Sequence, residues 1–452
     1  MSADAGPRAH PRHGWVAAVL PDAARRIRVV DDDALAATLA VAGADVAGGE
    51  PEVVVGPVDR RTADAPVAVV PLASLGQLGG PRPARLARRL AAALAVRVRA
   101  ARARRSLRRL YPQTGIVRWD VGQPVRVPGA PRPRRAVDRL PRAAVVIGSR
   151  REPDPTILEE ALRAASAQLG TSIGTGAPVA TGGGTLVVLT PTHVVRVAAG
   201  PGREHLRRQH AALDELWART PPDLVAGRLP RPLAAGDRGF GGWLLEDRLP
   251  GVVPDAVAGR LLDDCADFLG CLHGCASSEV GPSLAGAADT VNALSGGTRD
   301  DLRRLGERLD ERLAGLPRGF GHGDFWRRNL LVDGGRLAGV VDWEHAGAGR
   351  LPVLDLLQLV ATQPRYDGRG ITSVVVGGLL PWARAGGDDT VRRYGARLGL
   401  DLRPPLLEDL VLAFWLDRLA RQLDKCGDLG GSPRWAGDHV DPVLIAGGIG
   451  RP

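Results

Sequence analysis

The sequence predicts an α+β protein in two parts: a small α/β part over residues 1–150, and a larger part over 151–452 that begins with strands and continues mostly as helices. Three observations lead there. In the first part, β-branched runs at 27–30, 52–55 and 67–70 are interrupted by a helix-like segment at 33–41, the alternation of an α/β unit with a partly parallel sheet. At the start of the second part, glycines between 174 and 184 precede two apolar runs, 186–189 and 194–198. From 256 onward apolar residues recur mostly at helical spacing, with a short hairpin signal near 334. A chain of 452 residues exceeds one ordinary core, so two or three domains are expected.

Later in the first part, residues 108–127 and 143–147 read as added antiparallel strands, and the Pro- and Gly-containing stretch 128–133 as a turn or linker. The arrangement is similar to the closing strands of a methyltransferase-like Rossmann fold. No Gly-x-Gly-x-x-Gly follows its first strand, however, so neither a dinucleotide nor an S-adenosylmethionine site is expected, and no function is assigned to this part.

The net charge of +10 is concentrated: residues 82–118 carry twelve arginines and no acid, and the remainder of the chain is close to neutral. That weighs against nucleic-acid binding by the protein as a whole. The basic stretch, 82–110, reads either as an arginine-decorated helix covering one face of a sheet or as a peripheral contact for an anionic membrane surface or a nucleic acid. Lys425 is the only lysine, and the abundance of Arg, Ala and Gly suits a GC-rich bacterial coding sequence.

Four cysteines do not make a disulfide framework in a chain this long, which favours a reducing, cytoplasmic setting. Cys265, Cys271, His273 and Cys275 invite a zinc reading, but all fall on one apolar helix-like segment, 261–276, without paired thiols from a second segment. No apolar run reaches the ~18 residues of a membrane span, and residues 1–14 lack the apolar core of a secretory signal.

In the second part, residues 156–169 read as a helix. A glycine run, Gly182-Gly183-Gly184, then lies ahead of the strand holding Val195-Arg196-Val197. Such a run lets backbone N–H groups approach phosphates, although a glycine-rich hairpin turn looks the same. Further on, Asp333-Gly334-Gly335 between two apolar runs signals a tight hairpin, because glycine supplies the positive φ of such turns. That hairpin brings its entry, Asn329, beside its exit, Asp342, with Asp324 on the loop just before. One amide oxygen and one carboxylate suit a hard cation such as magnesium, and a second carboxylate can orient a hydroxyl. These are the parts of a phosphoryl-transfer site. The structural alternative is an ordinary hairpin with Asp and Asn as caps, which is preferred for Asp333.

The stretch His322-Gly323-Asp324, with Asn329 five residues after the Asp and then Val340-Val341-Asp342-Trp343-Glu344, resembles the aminoglycoside phosphotransferase and choline kinase-like family. Gly349, Pro352 and Asp355-Leu356 are similar to its continuation, and the resemblance covers roughly residues 155–430. It implies a bilobal, protein-kinase-like fold with a β-rich N-lobe at about 151–250 and a helical C-lobe at about 251–452. It also implies an ATP- and Mg²⁺-dependent phosphotransferase acting on a hydroxyl of a small molecule. In it, Asp324 is the catalytic base, Asn329 and Asp342 are the metal ligands, and Gly182, Gly183 and Gly184 form the nucleotide loop. Arg196 stands where the family more often has a phosphate-binding lysine.

The resemblance further places an acid for Arg196 on the helix 203–217, where Gln209 falls at the expected position and Glu204 lies earlier. Residues 242–251, with Glu246, resemble the nucleotide-binding hinge. His322 and Asp355 are expected to support the loop. The acceptor is open: Trp326, Trp343, Trp415 and Asp417 are offered for a cationic one, and Arg327 and Arg328 for an anionic one. Phe414, Trp415, Arg418 and Gln422 read either as an acceptor wall or, for the aromatics, as core. The missing lysine keeps a second class in view, a catalytically weak nucleotide-binding scaffold tethered to membrane by its basic stretch.

Overall fold

The computed structural model describes residues 26–30, 33–41, 51–55, 67–73, 113–121 and 143–149. It then describes 155–449 with gaps at 174–177, 182–183, 220–226, 240, 276–280, 295–298, 364–369 and 427–432, besides scattered positions between 16 and 46 and between 98 and 105. Gly182, Gly183 and nearly all of the basic stretch 82–110 lie outside the described residues. The chain separates into two compact units, one of residues 1–210 with 231–248 and one of residues 211–230 with 249–452.

The first unit is built on a ten-stranded sheet. The β-branched runs of the first part form β1 (Ile27–Val29), β2 (Val53–Val55) and β3 (Val67–Ala73), all parallel. Parallel neighbours need a crossover, and between β1 and β2 it contains a helix, α1 (Asp33–Val41). β4 (Gln113–Val121) and β5 (Ala143–Ser149) pair antiparallel, and β5 also pairs antiparallel with β3. The later strands are β6 (Pro178–Ala180), β7 (Leu186–Leu189), β8 (His193–Ala199), β9 (Pro232–Arg238) and β10 (Gly241–Asp247). The order across the sheet is β1-β2-β3-β5-β4-β6-β7-β8-β10-β9, and β4 meets β6 in parallel through Asp120–Val179 and Val121–Ala180. Strands from both sides of residue 150 thus share one sheet.

Between β5 and β6 lies α2 (Ile157–Leu169). Its start is a capping box: the Glu159 amide donates to the Thr156 hydroxyl, and the Thr156 amide to the Glu159 carboxylate at 2.7 Å. Ile157, Ala161 and Ala165, one turn apart, are its buried stripe. The first two amides of the helix donate to the carbonyls of Leu20 and Ala18 at 3.0 and 2.9 Å. After β8 the chain turns into α3 (Pro201–Arg219).

The second unit contains α4 (Arg260–Gly274), α5 (Leu284–Leu294) and α6 (Asp300–Arg312), then two small antiparallel sheets. One pairs β11 (Gly319–Gly321) with β14 (Gly347–Arg350); the other pairs β12 (Leu330–Asp333) with β13 (Arg336–Val340). Gly334 and Gly335 turn the second hairpin with φ of 55° and 78°, as the sequence predicts. Then come α7 (Leu354–Ala361), α8 (371–384, with a π-helical middle, Val375–Leu379), α9 (Asp389–Arg397), α10 (Leu406–Cys426), α11 (Pro433–His439) and α12 (Asp441–Ala446). Helix α10 runs through the core: Leu407, Leu410, Val411, Phe414, Trp415 and Leu416 are almost wholly buried. Removing such side chains from water stabilises by about 1.5–3 kcal/mol each. No described helix is long and apolar enough to cross a membrane.

Candidate functional site

In the second unit, the loop between β11 and β12 is held by Asp355 and His322. Asp355, in the first turn of α7, accepts from the His322 amide at 2.7 Å and the Gly323 amide at 2.8 Å. A carboxylate taking two backbone N–H bonds makes strong, charge-assisted contacts. The His322 ring is fully buried; its Nδ1 accepts from the Asp324 amide at 3.2 Å, while Nε2 lies 3.1 Å from the Val341 carbonyl. Those partners require a neutral imidazole with the proton on Nε2, and burial agrees by pushing its pKa down. The ring also packs on Trp343 (centroids 4.5 Å apart) and edge-on against Phe325 (5.8 Å). Gly323 has φ of 79°, and a Cβ there would sit 2.3 Å from the His345 carbonyl oxygen, so only glycine fits.

This clamp places Asp324. Burial opposes its ionisation, but its neighbours, Arg418 foremost with Nη1 donating to Oδ1 at 2.7 Å, together hold the carboxyl below the ordinary carboxylate range. Gln358 Nε2, on α7, approaches the same oxygen at 3.3 Å. Asn329 donates its amide nitrogen to the Asp324 carbonyl at 3.0 Å, so its side-chain oxygen is the atom left to face a ligand. The Val341 amide donates to the Asn329 carbonyl at 2.9 Å, extending the hairpin ladder one pair beyond Leu330–Val340. Asp342, next along, therefore stands at the same hairpin mouth, as the sequence predicts. Its φ is 72°, an uncommon conformation for a side-chain-bearing residue and typical of functional loops.

Two of the acceptor-wall candidates are elsewhere. Trp343 and Trp415 are 0 % exposed; the Trp343 indole N–H donates to the Val340 carbonyl at 2.9 Å, and both rings belong to the core with Phe414. Asp417 is held between Arg350 (3.3 Å) and Arg421, and Arg421 also donates to the Gly323 carbonyl. Trp326 carries the Arg328 guanidinium 5.4 Å from its ring centroid. Gln358 and Arg421 have no signature in the sequence: they lie 34 and 98 residues from the loop groups they touch.

In the first unit, Arg196 on β8 donates from Nε to Glu246 Oε2 at 3.0 Å. The register pairs Arg196 with Leu244 and Val194 with Glu246, so the two side chains are same-face diagonal neighbours on adjacent strands. Gln209, on α3 and 1 % exposed, donates to the other Glu246 oxygen. The helix acid expected for Arg196 is thus not on the helix. Sheet residue Glu246 supplies the carboxylate, and Gln209, which falls where the acid was expected, steadies it. Glu204 instead pairs with Arg207 on the surface. Gly184, the described one of the three glycines expected to meet the nucleotide, has φ of 84° and its amide donates to the Thr181 carbonyl at 3.1 Å.

Among the described residues no group of three or more His, Cys, Asp or Glu side chains is arranged to hold a metal. Cys265 is buried, and burial raises its thiol pKa; Cys275, just after α4, donates to the Cys271 carbonyl, and His273 meets the Pro317 carbonyl.

Residues 181–384 match the model of a phosphotransferase enzyme family, APH. No curated protein matches the chain. Among solved structures, it is similar to aminoglycoside phosphotransferase APH(3'')-Id from Streptomyces rimosus, at 20 % identity over 57 % of this chain and 96 % of that one, with a TM-score of 0.36. The same enzyme in complex with ADP and streptomycin gives 19 %, 57 %, 98 % and 0.39. A streptomycin-ATP-APH(2'')-IIa ternary complex gives 14 %, 63 %, 95 % and 0.40. The sequence match spans Gly182, Gly183, Gly184, Arg196, Asp324, Asn329 and Asp342 together. Over residues 181–384, the chain is thus similar to this phosphotransferase enzyme family.

Proposed function

We propose that the protein transfers the γ-phosphoryl group of ATP to a hydroxyl of a small-molecule acceptor, with magnesium as cofactor. The observation that carries this is the anchored loop: Asp324 fixed by the Asp355–His322 clamp, with the Asn329 side-chain oxygen and Asp342 at one hairpin mouth. An oxygen-only pair with one carboxylate fits magnesium, which keeps several waters and shares phosphate oxygens. Asn329 and Asp342 would hold it, and when bound it would neutralise charge on the β- and γ-phosphates. Asp324 would orient the acceptor hydroxyl and take its proton late, a contribution of roughly 10²–10⁴-fold. Its low basicity beside Arg418 suits orientation more than early proton abstraction.

Arg196, oriented by Glu246, would bind phosphate oxygens, a role that the backbone of Gly182, Gly183 and Gly184 would share. The kinase portion would be 151–452, with 1–150 as an appended α/β part completing the sheet. The test is magnesium-dependent ATP turnover with a panel of sugars, sugar acids, amino alcohols and aminoglycosides, beside Asp324→Ala and Asp342→Ala. Turnover stimulated by an acceptor and lost in both variants is the expected result. Failure to bind ATP with magnesium would remove the reading.

A further inference from the structure

The surroundings of Asp324 bear on its acceptor, given the kinase reading above. Two acids near this loop are answered by donors. Asp355 is spent on two backbone amides, and Asp417 on Arg350 and Arg421. Around Asp324 and Asp417 stand three guanidinium groups, those of Arg350, Arg418 and Arg421, against two carboxylates. Arg350 is almost buried, and its desolvation lowers its pKa. Arg418 differs from the other two. Its side chain is 30 % exposed, and its one hydrogen bond uses Nη1, so Nε and Nη2 remain to face a ligand. Such a fork matches carboxylate and phosphate oxygens.

The second observation is an orphan. Gln358 is 3 % exposed, its nitrogen directed at Asp324, and its Oε1 is buried with no donor from the protein. A buried acceptor left unsatisfied is costly, and a ligand O–H would satisfy it.

We propose that the acceptor is a hydroxylated anion, a polyol carrying a carboxylate or a phosphate, with Arg418 receiving the anionic group and Gln358 Oε1 receiving a hydroxyl proton beside Asp324. The reacting hydroxyl gives its proton to Asp324. Its oxygen bonds to the γ-phosphorus of ATP as the bond from that phosphorus to the bridging oxygen of ADP breaks. A polycationic acceptor is disfavoured, because it would meet Arg418 directly at the catalytic carboxylate.

The experiment is calorimetric titration of the full chain, with and without ADP and magnesium, using sodium gluconate, glucose 6-phosphate, glucose and streptomycin, repeated on Arg418→Gln and Arg418→Lys. At least one anion should bind about tenfold or more tightly than glucose. Arg418→Gln should erase that preference, and Arg418→Lys should keep part of it. Gluconate and glucose 6-phosphate separate carboxylate from phosphate. The proposal is overturned if neither anion binds at millimolar concentration, if streptomycin binds best, or if Arg418→Gln keeps the preference. Absence of ADP binding would sink the kinase reading instead, and the titrations without ADP would still judge Arg418.

Discussion

The relocation of the acid that holds Arg196 can be tested by substitutions at residues 246 and 209. The Glu246 side chain is 2 % exposed and that of Arg196 12 %, with Nε and Oε2 3.0 Å apart. At an effective dielectric of about 20, charges 3–4 Å apart attract by roughly 4–5 kcal/mol. Removing one partner of a buried pair costs about 3–5 kcal/mol, because the survivor loses its counter-charge. Glu246→Ala would also orphan the Gln209 amide, a further loss of about 1–3 kcal/mol. The sum is a large part of a typical folding stability of about 5–15 kcal/mol. Gln209→Ala, which breaks one hydrogen bond and leaves the ion pair, should cost only about 1–2 kcal/mol. The informative variant is Gln209→Glu. It restores the expected helix acid but sets two buried carboxylates against one guanidinium, so one of them must hold a proton. Its carboxyl pKa is then raised on folding, and the penalty is absent near pH 4 and grows as pH rises. Urea unfolding followed by tryptophan fluorescence at pH 5 and 8, with ADP affinity alongside, measures all of this. Glu246→Ala within 1 kcal/mol of wild type, or Gln209→Glu more stable than wild type at pH 8, would refute the reasoning.

Asp355→Ala should destabilise the second unit by about 2–4 kcal/mol and abolish turnover, since two loop amides lose a charged acceptor; thermal melting and single-turnover assays read both. Asp342→Asn should remove most magnesium dependence of turnover while ADP binding without magnesium persists, as shown by titrating the metal. The Asp324 carboxyl lies below its unfolded value, so its contribution to stability is complete above that value and is lost as pH falls through the folded pKa. In Arg418→Gln the opposing effect of burial takes over, and the acid limb of the kcat/KM profile should move to higher pH. Gly323→Ala should give protein without activity, because its Cβ collides with the His345 carbonyl; Gly334→Ala, with open space around it, should lose only stability.

Local signals carried well. The β-branched runs became strands, the Thr156–Glu159 pair capped a helix, and the two glycines after Asp333 made the turn that sets Asn329 beside Asp342. These features depend on residues a few positions apart. What could not be read was contact across long sequence separation. The Arg196–Glu246 pair spans 50 residues, and the sequence pointed to helix α3 because a helix there usually carries the acid; the sheet register, invisible in one sequence, put Glu246 closer. Trp343 and Trp415 looked available for a ligand because aromatic content does not reveal which face of an element is buried. Arg418 reached Asp324 only because α10 is packed into the core on its other side.

The β4–β6 pairing also limits how the protein can be divided. A chain starting at residue 151 would lack β4, leaving the three-residue β6 as a bare edge with one row of amides and carbonyls exposed. The first turn of α2 would lose the carbonyls of Leu20 and Ala18, and Ile157 part of its cover. Such a fragment should self-associate through that edge, whatever the state of its phosphotransferase residues. Strands β1 to β5 thus complete the sheet that carries Arg196, and any transplantation of that sheet to a new host protein must carry them along.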